Sequence, residues 1–206
     1  MRQRSPKAIY IILSDYERAD ILVHCLQAMV GGKSDIHTDT QKRMSELREN
    51  QLIGFAAEAA FFKWAEPLGS GGIKAWKQQR IAINEKKWQG DGGVDCVLAS
   101  GTEVDIKCSE INTDLNTSSC MKFNLTQCRL KTLNNVAYVQ CFAKTVDDSY
   151  QVPREVLIVG WLWGHELDGS EDYKALRGWS ASCSTIRDIK ELKTARKHNK
   201  AAIHAD

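Results

Sequence analysis

The most constraining stretch of this chain is Gly90-Asp-Gly-Gly-Val-Asp-Cys-Val-Leu-Ala-Ser-Gly-Thr-Glu-Val-Asp-Ile-Lys107. Two β-prone runs, Val94 to Ala99 and Glu103 to Cys108, flank a short turn, which reads as a hairpin. A three-residue loop, Ala99 to Gly101, with Gly101 in the left-handed conformation, pairs Leu98 with Thr102. That register carries Asp95 opposite Asp105. Alternation then puts Glu103, Asp105 and Lys107 on one face of the second strand, and Val104, Ile106 and Cys108 on the other. Like charges directly opposite each other destabilise a sheet, so the arrangement favours a divalent cation between the carboxylates. Oxygen donors without a His or thiolate cluster select a hard ion, Mg²⁺ first with Mn²⁺ as substitute.

A second feature stands upstream. In Leu52 to Trp64 only Glu58 and Lys63 carry charge, and the helical neighbours of Glu58 are Gly54, Phe55, Phe61 and Phe62. Its carboxylate leaves a largely apolar surface, where an ionised group needs a partner. The helix that holds it runs from Gln41 to about Ala65 and is stopped by Pro67 and glycines 69, 71 and 72. Ahead of it, Ser14 and Glu17 form a capping-box signature for a helix from about 15 to 30, ended by Gly31-Gly32.

Short β-rich runs at Ile81–Ile83, Val94–Ala99, Glu103–Cys108, Ala137–Lys144 and Val156–Trp163 read as strands. Leu125–Leu133 has helical spacing behind an Asn124 cap, and Ile186–Lys200 reads as a basic C-terminal helix. The result is an α/β architecture: a mixed central sheet flanked by helices, in one domain of 206 residues. Its core spans about 50–145. An N-terminal helical region occupies 1–40, and a late strand with the basic helix occupies 150–206.

Composition excludes little. The net charge of +2 does not imply nucleic-acid binding by itself. Its distribution is suggestive, since Lys74, Lys77, Arg80, Lys86 and Lys87 cluster around Trp76 and Trp88, and a second basic group crowds the C-terminus. The tryptophans either stack on bases or fill the core. The tail either clamps nucleic acid or covers the sheet. The seven cysteines show no CxxC pair or zinc spacing and are read as reduced thiols. No run approaches the roughly 18 apolar residues of a membrane span, so the expected setting is the cytoplasm without membrane association. His165 is isolated.

Taken in order, Glu58 on GFAAEAAFF, Asp95 in GDGGVD and Asp105-Ile-Lys107 in VDIKCS resemble the PD-(D/E)XK nuclease superfamily over about residues 50–145. The resemblance implies a restriction-endonuclease-like αβββαβ core with extra N- and C-terminal helices. It also implies a metal-dependent phosphodiesterase with Glu58, Asp95, Asp105 and Lys107 as catalytic residues. Asp95, Asp105 and the Ile106 carbonyl would hold Mg²⁺, with Glu58 as ligand directly or through water. Lys107 would orient the attacking water. Val94 stands where the family's name-giving proline would be, and Asp91 competes with Asp95, which is preferred because it begins the strand. Lys74, Lys77, Arg80, Gln127, Arg129 and Lys131 are expected to hold the phosphate backbone. By family analogy the substrate is DNA ahead of RNA and the action endonucleolytic, and cutting two strands with one site per chain favours a homodimer. The alternative is a catalytically inactive nucleic-acid-binding or assembly module on the same fold.

Overall fold

The computed structural model describes residues 8–31, 40–85, 94–111, 115, 124–128, 135–144, 148, 150–166, 178–182 and 186–195. Its strands are β1 (Ile9–Ile12), β2 (Cys96–Val97), β3 (Glu103–Glu110), β4 (Asn124–Cys128), β5 (Ala137–Ala143), β6 (Glu155–Trp163), β7 (Gly178–Ser182) and β8 (Arg187–Asp188). Its helices are α1 (Asp15–Gly31), α2 (Thr40–Trp64) and α3 (Gly72–Glu85). The main sheet runs β1-β6-β5-β3-β2, with β8 also on β6, while β4 and β7 form a separate two-stranded ribbon. Among the described residues only β3 and β5 pair in parallel; the other pairs are antiparallel. The mixed α/β class is as the sequence indicates.

The central strand β5 is buried at every position, as a strand covered on both faces should be. Its alternation separates two apolar layers. Val139 and Cys141 pack with Val104, Ile106, Ile158 and the residues of α2, whereas Tyr138 and Phe142 pack with Leu157, Val159 and Ile186. Four alanines of α2, Ala56, Ala57, Ala59 and Ala60, are fully buried, and their small side chains let α2 lie close to sheet and neighbouring helices together. The Ser14–Glu17 capping box forms in both directions: the Ser14 amide donates to Glu17 Oε2 at 2.7 Å, and the Glu17 amide to Ser14 Oγ at 3.3 Å.

After α2 the chain turns through Pro67 in the 3₁₀ turn Glu66–Leu68, and Gly69 takes a φ of 85°. A Cβ there would stand 2.5 Å from that of Ala99. The Ala99 amide also donates to the Leu68 carbonyl at 3.1 Å, fastening the hairpin tip to the end of α2. This contact sets where Asp95 lies relative to Glu58.

Three expected elements differ. Ile81–Ile83 is the last part of α3 rather than a strand; β-branched residues disfavour helix only weakly, and the packing of Trp76 and Arg80 overrides them. Leu125–Cys128 lies in β4 rather than in a helix, paired with β7 across a large sequence separation, and 129–133 lies outside the described residues. The αβββαβ order thus loses its first strand to α3 and the start of its second helix to β4. In place of a C-terminal helix from Ile186, β8 is followed by a 3₁₀ turn, Ile189–Thr194, capped by the Asp188 side chain, which accepts from the Lys190 amide at 2.9 Å. Ile189 and Leu192 are buried in the α2-side layer, so this part of the tail covers the core. The apolar run that becomes β1 carried no strand expectation. No helix among the described residues is long and apolar enough to cross a membrane.

Candidate active site

The hairpin forms in the register its turn dictates. Gly101, at φ 76°, donates to the Leu98 carbonyl at 2.8 Å, the Leu98 amide donates to Thr102 at 3.0 Å, and Cys96 pairs with Val104. Asp95 lies just ahead of β2. Its own amide donates to the Val104 carbonyl at 2.8 Å, and its Oδ2 accepts the Ile106 amide at 2.7 Å. A side-chain oxygen therefore takes the place of a ladder carbonyl, which orients the carboxylate along the sheet edge. Because N–H and C=O of one strand residue point the same way, the Ile106 carbonyl is directed toward that same edge.

Asp105 and Lys107 project from the Tyr138 face of β3, where Lys107 Nζ donates to Asp105 Oδ1 at 2.6 Å. Glu58 belongs to α2, on the opposite layer. It is 8 % exposed, and its Oε2 accepts Trp76 Nε1 at 3.0 Å and the Arg80 guanidinium. Arg80 Nη2 also lies 4.0 Å from Asp95 Oδ1. Asp95 is thus the hinge of the site, linked to Glu58 by Arg80 on one side and to β3 by Ile106 on the other.

The electrostatics follow from this placement. Burial pushes the Asp95 carboxyl well above the usual carboxylate range, and the charges of Glu58 and then Asp105 push it further; the Ile106 amide and Lys107 offset only part. Burial alone would lower the Lys107 ammonium, but the charge and hydrogen bond of Asp105 outweigh it and raise it. A proton or a cation at the Asp95–Asp105 pair would relieve the excess negative charge. An open cleft of about 220 Å³, lined by Phe62, Gln79, Asp95 and Val97, gives solvent a route to Asp95.

All four residues expected to be catalytic are therefore interconnected, but not as one ligand set. Among the described residues no three His, Cys, Asp or Glu side chains converge to hold a metal ion. The physical reason is visible: the Arg80 guanidinium contacts Glu58, and Asp105 comes from the other face of the sheet.

The expected phosphate-binding residues are dispersed. Lys74 is exposed. Lys77 pairs with Asp20 and lies 4.6 Å from the centre of the Tyr16 ring. Arg80, expected on the surface, is only 5 % exposed and belongs to the site itself. Gln127 is in β4, not on a helix, while Arg129, Lys131, Trp88 and Asp91 lie outside the described residues. The engagement of Trp76 and Arg80 with Glu58 is what sequence reasoning missed. Four residues apart, they share a face once 72–85 is read as helical.

Comparison with protein-family models, with curated proteins and with solved structures finds no match.

Proposed function

We propose that this chain is a metal-dependent nuclease that hydrolyses phosphodiester bonds, with DNA endonuclease action the first reading. The observation that carries it is the pair of buried carboxylates that the hairpin register brings together, Asp95 and Asp105, with Lys107 hydrogen-bonded to Asp105 at 2.6 Å. Together with the Glu58 helix, this is the residue set through which the chain resembles the PD-(D/E)XK superfamily. The fold supports the reading at the coarse level of a mixed sheet with flanking helices and a parallel β3–β5 pair, while α3 and β4 depart from the family's αβββαβ order.

The donor set fits a hard divalent cation at the Asp95–Asp105 half: two carboxylates, with the Ile106 carbonyl directed to the same edge. Asp95, Asp105 and that carbonyl would hold Mg²⁺, and Mn²⁺ would substitute. When bound, such an ion lowers the pKa of a coordinated water and neutralises charge developing on the phosphoryl oxygens. Lys107, held on Asp105 and partly exposed, is suited to orient the attacking water and to donate to a phosphate oxygen. Glu58, held by Trp76 and Arg80, acts through water or through Asp95 rather than as a direct ligand.

The test is cleavage of supercoiled plasmid by wild type, Asp105→Ala and Lys107→Ala, with Mg²⁺, Mn²⁺ or EDTA. Metal-dependent cutting that disappears in both folded variants supports the reading; cutting that survives both places the active site elsewhere. A second reading, a nucleic-acid-binding or assembly module without turnover, draws on the Arg80–Glu58 contact, which neutralises a carboxylate without metal. Absence of cutting on plasmid, linear, single-stranded or RNA substrates under every metal condition would favour it.

A further inference from the structure

The proposed hydrolysis makes no use of Arg80, although it is the most buried cation in the site. Its guanidinium contacts Glu58 Oε2, lies 4.0 Å from Asp95 Oδ1 and packs 4.6 Å from the centre of the Phe55 ring. Its Nε is buried and makes no hydrogen bond among the described residues, while its Nη2 faces the two carboxylates. Trp76, one turn earlier on α3, donates to the same Glu58 oxygen and fixes that carboxylate toward α3. An arginine cannot relieve its burial by losing a proton, unlike a lysine, so this positive charge is permanent.

We propose that Arg80 is a built-in cation that occupies the Glu58–Asp95 half of the site, in the place a second divalent ion would otherwise take. The site then accepts one divalent cation, at the Asp95–Asp105 half. That last clause rests on the nuclease reading; the assignment of Arg80 does not. Carboxylate clusters that cleave phosphodiesters can hold two ions about 3.5–4 Å apart, each needing free carboxylate oxygens. Here the Glu58 oxygen that would serve the second ion is already taken by two donors. Arg80 is a positioning residue in this scheme: it sets Glu58 and one edge of Asp95 and does not touch the phosphate.

The experiment is Mn²⁺ titration of the full chain, followed by electron paramagnetic resonance, on wild type, Arg80→Met, Arg80→Lys and the double variant Glu58→Gln/Arg80→Met. Circular dichroism establishes folding first, since Arg80→Met leaves Glu58 buried and unbalanced, whereas the double variant removes both charges. Wild type should bind one Mn²⁺. Arg80→Met should gain a second Mn²⁺ with a dissociation constant resolvable in the titration. Arg80→Lys and the double variant should return to the wild-type value. If Arg80→Met folds only with Mn²⁺, its melting temperature should rise with Mn²⁺ more than that of wild type, which also supports the assignment.

A purely structural arginine would give no second ion, since loss of its charge would only tighten the first. Two ions on wild type, a folded Arg80→Met that still binds only one ion, or an Arg80→Met that stays unfolded at every Mn²⁺ concentration each overturn the proposal. Asp105→Asn separates the two readings. If it loses the wild-type ion while Arg80→Met gains nothing, the nuclease reading stands and the role of Arg80 falls. If wild type binds none but Arg80→Met binds one that requires Glu58, the role of Arg80 stands and metal-dependent hydrolysis falls. Absence of binding in every variant overturns both.

Discussion

The Glu58–Arg80 pair and the Asp105–Lys107 pair share their chemistry and differ in their surroundings. In the first, both side chains are almost entirely buried, at 11 % and 6 % exposure. In the second, Asp105 is buried at 4 % but Lys107 reaches solvent at 30 %. A pair with both ends in the interior cannot exchange partners without leaving a bare charge in a poor dielectric, so it behaves as architecture. A pair with one end partly in water can let its lysine exchange with solvent, which the closed pair cannot do. Under the proposed function, the two halves would divide holding from reacting, with Asp95 between them.

The largest effect should come from attacking the closed half. Arg80→Met is expected to cost about 3–5 kcal/mol of stability in metal-free urea unfolding, because it strands a buried carboxylate. A loss below about 1 kcal/mol would mean that Glu58 reaches solvent and that the two halves are alike. The open half should show the reverse pattern. Lys107→Met should lower the proposed metal-dependent cleavage by about 100- to 1,000-fold in single-turnover rate, while urea unfolding loses less than with Arg80→Met, about 1–3 kcal/mol for the hydrogen bond to the buried Asp105. Equal losses of rate and stability would break the distinction.

A smaller change sharpens the closed half further. Trp76→Phe keeps the ring but removes the donor to Glu58, at an expected cost of about 1.5–3 kcal/mol in the same unfolding experiment, as for a hydrogen bond to a charged group. The smallest effect belongs to a reference pair outside the site, Lys63–Glu17, at 3.0 Å with Lys63 40 % exposed. Lys63→Met should cost less than about 1 kcal/mol. Burial alone would raise the Glu17 carboxyl, but hydrogen bonds from Ser14 and Lys63 outweigh it and hold it below its ordinary value. Its contribution is therefore present above the ordinary carboxylate range and is lost as pH falls through the lowered folded value. The stability gap between wild type and Glu17→Gln should shrink from about pH 7 to about pH 3.

Local chemistry was legible in the sequence and long-range pairing was not. The capping box at Ser14, the stop at Pro67 and the three-residue turn at Gly101 each act within a few residues, and each appears where the sequence puts it. The hairpin register followed from that turn alone, and with it the placement of Asp95 beside β3. Ile81–Ile83 misled because β-branching in a short window outweighed the four-residue recurrence of Trp76 and Arg80. Leu125 and Cys128 have helical spacing, but the strand they occupy is decided by a partner at Gly178–Ser182 that no local window contains. The site suffered the same division. Its carboxylates could be named, whereas the guanidinium between Glu58 and Asp95 could not, since it depends on how α3 lies against α2.

The pairing of β1 with β6 joins Ile9 to Ile158, about 150 residues later in the chain. During synthesis on a ribosome, β1 must therefore wait for β6, made about 150 residues later, before its backbone finds this partner. Meanwhile the β2–β3 hairpin can close as soon as Lys107 is out, because its contacts are local. Lys107 and Asp105 would be assembled on a nascent chain whose sheet edge is still bare. An edge left bare for that long risks strand exchange between neighbouring chains on one message, and the slow step in maturation would be the docking of β1 on β6.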